Sequence, residues 1–195
     1  SSLKNVIANK WNAGGATCIC CGINRGIKEL INSSVLLAHY PLEGNVLDSG
    51  VYGTNGNIIV TGGGSIQYVQ GVNGSGLAVD GTLSNNEYLN AGPISDVNSR
   101  GTVVFLFKLN NNFNSTSLTQ GLWSKYGNSD YNAFIALRGT DYISGGSGVT
   151  GSIQAKIEFN RVSRYLNSIS SNWNKDVWNH VALTLDGLNI RLYVN

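Results

Sequence analysis

The stretch W-N-H-V-A-L-T-L-D-G-L-N-I-R-L-Y-V-N, residues 178–195, leaves this chain little choice of local structure. Val181, Leu183 and Leu185 recur at every second position, the period that lines one face of a strand. Asp186-Gly187 then offers the positive φ that a tight hairpin turn requires. Beyond it, Leu188, Ile190, Leu192 and Val194 alternate with Asn189, Arg191 and Tyr193. The pattern predicts a β-hairpin with one apolar face.

The same period recurs upstream. Residues 102–109 place Val103, Phe105, Phe107 and Leu109 on one face. Residues 152–159 set Ile153, Ala155, Ile157 and Phe159 inward and Gln154, Lys156 and Glu158 outward. Shorter strand candidates cover 35–40, 66–69, 76–79 and 87–90, and Pro41 closes the first because it has no N–H for a ladder. No segment after residue 35 keeps helical periodicity for three turns. Many short strands between Gly and Asn turns predict an all-β chain, a two-sheet antiparallel β-sandwich or jelly roll. Residues 1–34 read differently, with Trp11, a Gly14-Gly15 break and a short helix over 27–31. They are expected to form an N-terminal arm or anchoring segment, with the sandwich over 35–195.

Composition narrows the setting. Charged residues are 12% of the chain, about half the usual share of roughly 25%. Asn, Ser, Thr and 25 Gly must therefore wet the surface, which suits an extracellular, cell-surface or virion location. The net charge is +2 without a basic stripe, so nucleic acid is not an expected partner. No apolar run approaches the roughly 18 residues of a membrane span, and residues 1–30 lack a signal-peptide pattern.

Cys18, Cys20 and Cys21 cluster in T-C-I-C-C-G with no second pair to complete a zinc site. They read as a buried apolar cluster, as an inter-subunit disulfide, or as metal ligands. On a strand, Cys18 and Cys20 would point the same way and be poorly placed to bond each other.

Two end motifs resemble a known family. Residues 36–56, L-L-A-H-Y-P-L-E-G-N-V-L-D-S-G-V-Y-G-T-N-G, resemble the first strand and loop of concanavalin A-like lectin/glucanase domains of the laminin-G-like type. Residues 178–195 resemble that family's late hairpin, and G-S-G-L-A-V-D-G (74–81) and G-T-V-V-F-L-F-K-L (101–109) fall between them in the expected order. The resemblance covers about residues 35–195 and implies a jelly-roll sandwich. Family members continue past the Y-V-N strand, so it also implies that the last strands of the sandwich are missing here.

The family includes glycoside hydrolases, whose retaining members place two carboxylates roughly 5–5.5 Å apart. The resemblance puts these in an E-x-D-x-x-E strand. Glu29, Glu43, Glu87 and Glu158 each lack an acid two residues on, so the chain is expected to be non-catalytic. His39 and His180 lie without a nucleophile signature and are expected to be structural imidazoles. Asp48 sits in a loop rich in carbonyls and Asn. It is either a ligand of a structural calcium, which the resemblance suggests, or a cap for its own turn.

Glycan recognition pairs aromatic platforms with planar polar groups. Tyr126, Tyr131, Tyr142 and Trp173 are the candidate aromatics, with Arg138 and Asn128 as hydrogen-bonding partners. Trp173, flanked by polar residues in S-S-N-W-N-K-D, is the least core-like tryptophan, whereas Trp123 and Trp178 read as core. The alternative is that these aromatics pack over a sheet edge. Sequons occur at Asn32, Asn73 and Asn114.

Two functions follow. One is a lectin-like module binding a glycan or cell-surface polysaccharide, as in adhesion. The other is a structural assembly protein, such as a virion decoration, tail-fibre or surface-filament subunit, which meets other subunits through residues 1–34.

Overall fold

A computed structural model describes residues 36–51, 53–79, 87–91, 100–114, 117–126, 131–140, 149–159, 162–169, 172–186 and 189–195. The proposed arm, its short helix and all three cysteines lie outside the described residues. Among those described, the regular structure is entirely β, in several antiparallel sheets. The chain divides into two compact units, Ser1–Ile94 and Ser95–Asn195.

The first unit contains β1 (Asn57–Val60), β2 (Ile66–Gln70), β3 (Ser75–Val79) and β4 (Glu87–Asn90). They form two ribbons, β1 with β4 and β2 with β3. The turn from β2 to β3 is closed by Gly71 N–H donating to Gly74 O at 2.9 Å. Residues 36–40 are not a strand, contrary to the alternation read from sequence. Only two backbone bonds tie them to 49–51: Ser49 N–H to His39 O and Val51 N–H to Leu36 O, both 2.9 Å. Gly50 permits that approach, because a Cβ there would stand 2.6 Å from Ala38 Cα.

The second unit contains β5 (Arg100–Lys108), β6 (Gln120–Tyr126), β7 (Tyr131–Leu137), β8 (Ile153–Phe159), β9 (Val162–Asn167), β10 (Trp178–Asp186) and β11 (Ile190–Val194). One sheet runs β11-β10-β5 and the other β6-β7-β8-β9. Leu109, Phe113, Val181 and Leu183 from the first sheet and its extensions share one apolar cluster with Ile135, Leu137, Ile153 and Ala155 from the second. Val103, Phe105, Phe107, Leu192 and Val194 pack against the same cluster, giving a β-sandwich-like arrangement in this unit.

Most sequence periods are visible here, with three corrections. Leu185 pairs with Ile190, which is not the register that a two-residue turn at Asp186-Gly187 would set. The shift is by an even number of residues, which keeps Leu192 and Val194 on the inner face. Gln154, expected to face solvent, is 1% exposed, and its Nε2 donates to Asn167 Oδ1 at 2.9 Å. Trp178 shares a strand face with His180 and not with Val181, so it stands outside the core cluster, with Lys108 Nζ 5.4 Å from its ring.

Candidate functional site

The β5–β10 ladder does not stop at the ends of its strands. Lys108 pairs with Trp178, and stepping forward along one strand and backward along the other in the same register reaches Phe113 and Trp173. These two form an isolated antiparallel bridge. Phe113 N–H donates to Trp173 O at 2.8 Å and Trp173 N–H to Phe113 O at 3.0 Å. Between the ladder and the bridge, Asp176 N–H donates to Leu109 O at 3.0 Å and Lys175 N–H to Asn112 Oδ1 at 2.8 Å.

The local sequences N-F-N and N-W-N explain what the bridge displays. With side chains alternating, one aromatic from each segment turns into the core and its flanking asparagines turn out. Phe113 is 1% exposed and Trp173 6%, whereas Asn112, Asn114, Asn172 and Asn174 are exposed. Register sets Asn112 opposite Asn174 and Asn114 opposite Asn172. The four amides and the two aromatics line a depression of about 230 Å³. Asn112 spends its carbonyl oxygen on Lys175 N–H, leaving its NH₂ as a donor. Asn172 and Asn174 form no side-chain hydrogen bond with the described residues. The surface thus offers neutral donors and acceptors, and among the described residues no carboxylate lines it.

Trp173 is the sequence candidate most altered by the structure. It is a core residue, with its ring 6.1 Å from that of Phe107 and its Nε1–H donating to Gly151 O at 2.7 Å. Its ring face is therefore not a stacking platform, and the polar neighbours that made it look exposed are the groups on display. Tyr126 ends β6 and Tyr131 begins β7, so both belong to strands and not to loops. Tyr142 and Asn128 lie outside the described residues. Arg138 follows β7, where its N–H donates to Ser152 O and its carbonyl accepts from Gly151 N–H, both at 2.9 Å. It does not line the asparagine depression.

Asp48 organises the first unit's opening loop. Its Oδ1 accepts from the backbone N–H of His39 and of Gly50, both at 2.7 Å, and its Oδ2 from Thr54 N–H at 3.1 Å. Its own N–H donates to Asn55 Oδ1 at 3.1 Å. This is the geometry of a carboxylate capping its own turn. Among the described residues no three His, Cys, Asp or Glu side chains converge as metal ligands.

His39 Nδ1 lies 2.6 Å from Ser49 Oγ. Burial pulls the imidazole below its usual value, against the opposing pull of Asp48, and the Ser49 hydroxyl also lies 3.3 Å from His39 O, to which it can donate. No sequence motif marked this pair, whose members stand apart along the chain. The neighbouring amides of Ser49, Gly50 and Val51 are already bonded to protein acceptors, so none is left to stabilise an oxyanion. In the second unit, Glu158 is bound to Lys156 at 2.7 Å and accepts from Ser163 Oγ at 3.3 Å.

Among the described residues no helix is long and apolar enough to cross a membrane. No family model, curated protein or solved structure matches the chain.

Proposed function

We propose that this chain is a non-catalytic binding module of concanavalin A-like, laminin-G-like jelly-roll type that recognises an uncharged glycan outside a cell or on a virion. The observation that carries this reading is the cross-strand array of Asn112, Asn114, Asn172 and Asn174 over the Phe113–Trp173 bridge. Planar amides supply paired donors and acceptors that match vicinal hydroxyls, and they carry no charge to select an anionic sugar. The bridge is part of a hydrogen-bonded ladder, so the amides sit on a rigid support and little ordering is needed on binding. A calcium ion at the Asp48 loop remains a separate proposal, carried by the family resemblance.

The test is a neutral-glycan array read beside titration calorimetry for any glycan retained. Asn172→Ala with Asn174→Ala should abolish retention while leaving the melting temperature within about 1 °C, because surface changes of this kind cost little. Retention unaffected by the double substitution would overturn the assignment.

A second reading, as a subunit of a larger assembly, is favoured by the first unit. Its thin ribbons expose Val60, Tyr68, Val69, Val79 and Tyr88, each at least 38% accessible. Two-stranded ribbons are marginal alone, and exposed apolar strands favour further pairing. Sedimentation across a concentration series decides it: a monomer at all concentrations would exclude self-assembly.

A further inference from the structure

The dipeptide Asn-Gly occurs twice in the chain, as Asn55-Gly56 and Asn73-Gly74. Asparagine before glycine is where the backbone can react with a side chain, because no Cβ shields the glycine nitrogen from the asparagine Cγ. Both asparagines are exposed, so solvent access does not tell the two pairs apart. Their hydrogen bonds do.

At the first pair both reacting groups are committed. Asn55 Oδ1 accepts from Asp48 N–H at 3.1 Å, and Gly56 N–H donates to Val46 O at 2.8 Å. Gly56 is also packed, since a Cβ there would stand 2.6 Å from Leu89 Cδ1. Its nitrogen cannot swing towards Cγ while these contacts hold.

The second pair lies in the turn between β2 and β3, where Gln70 pairs with Ser75. The turn is ordered through other groups. Gly74 O accepts from Gly71 N–H at 2.9 Å and from Gln70 Nε2 at 3.2 Å, while Ser75 N–H donates to Glu43 Oε2 at 3.1 Å. Gly74 N–H meets no acceptor among the described residues, and the Asn73 side chain forms no hydrogen bond with them. Nucleophile and electrophile are adjacent, exposed to water and both uncommitted.

We infer that Asn73 is a self-modification site, passing through a succinimide to aspartate and isoaspartate in the folded protein, while Asn55 is kept intact. The inference is independent of what the chain binds. Gly74 N attacks Asn73 Cγ, its proton passes to solvent, and the Cγ–N bond to the side-chain amide breaks as ammonia leaves. Water, the sole co-reactant, then opens the ring. Opening at Cγ gives aspartate in a normal backbone; opening at the main-chain carbonyl routes the chain through Cβ as isoaspartate. Either product adds a carboxylate to a turn that already holds that of Glu43.

The experiment incubates the full chain in mildly alkaline buffer, folded and in urea. Chymotryptic peptides, which cleavage at Tyr68 separates, are followed by mass spectrometry, with electron-transfer fragmentation to identify isoaspartate. In the folded chain the Asn73 peptide should gain one mass unit at least about tenfold faster than the Asn55 peptide, because two hydrogen bonds must open before Asn55 reacts. Isoaspartate should accompany aspartate at position 73. In urea the two rates should converge, and Asn73→Gln should abolish the fast reaction of the folded chain.

Asn55 converting as fast as Asn73 in the folded chain would overturn the inference. A rate difference that persists in urea would do the same, since neighbouring residues and not the fold would then set it. Aspartate at 73 without isoaspartate would mean direct hydrolysis of the side chain and would count against the succinimide. No conversion at Asn73 in the folded chain, over a period in which the urea sample reacts fully, would also sink it.

Discussion

The ring of His39 meets the hydroxyl of Ser49 at 2.6 Å, joining the two sides of the loop that Asp48 organises. Burial holds the His39 pKa below its ordinary 6.5, and burial does the same to His180. As pH falls, the unfolded chain therefore takes up these protons first. Stability should be fully present above about pH 6.5 and decline as pH falls through 6.5 towards the lower folded-state values. Urea midpoints at pH 8, 6 and 5 test this. His39→Gln should flatten part of the slope, and an unchanged slope would show that His39 titrates alike in both states.

Removing the Asp48 carboxylate strands the amides of His39, Gly50 and Thr54. Asp48→Ala should cost about 1–3 kcal/mol, the usual penalty for unpaired polar groups. If the carboxylate acts only as a cap, the loss is the same in calcium and in chelator. A loss seen only with calcium present would instead identify a metal ligand.

Trp173→Ala should be among the most damaging single changes, at about 3–5 kcal/mol for a large buried aromatic. Trp173→Phe keeps most of the volume but removes the donor to Gly151 O. It should cost about 1–2 kcal/mol, and denaturant titration separates the two. Equal losses would mean that the indole hydrogen bond dominates.

Gly74 adopts φ +74, and a Cβ there would collide with the carboxylate of Glu43. That carboxylate accepts from Ser75 N–H at 3.1 Å at the head of β3. Gly74→Ala should destabilise by more than about 1 kcal/mol, because both the backbone region and the space are wrong for alanine. Adding Glu43→Ala should recover the steric part alone, as read from paired thermal melts.

The long strands were legible because burial on one side imposes a strict period, as in Val181, Leu183, Ile153 and Ala155. The pattern misled where both faces of a strand are covered. Gln154 looks solvent-facing by parity, yet it is buried and bonded to Asn167. Residues 36–40 alternate like a strand, but Asp48 takes the His39 amide that a longer ladder would use. For Trp173 the useful signal was present in N-W-N, which repeats the N-F-N at Phe113. Alternation of one aromatic between two amides is strand period two at its shortest, and its partner became visible only through register. The His39–Ser49 contact had no such signal, since it depends on how a loop closes.

The Phe113–Trp173 bridge has a kinetic meaning as well. Its halves are separated by β6 to β9, so the second sheet is synthesised entirely between them. Joining the two segments is part of pairing β5 with β10, a contact of high sequence separation whose loop must be closed first. The bridge is the rung of that ladder nearest the second sheet in sequence, and it closes a shorter loop than any β5–β10 pair. Weakening it should therefore slow formation of the second unit as well as speed its opening, so the asparagine surface overlies a point where that unit's assembly is set.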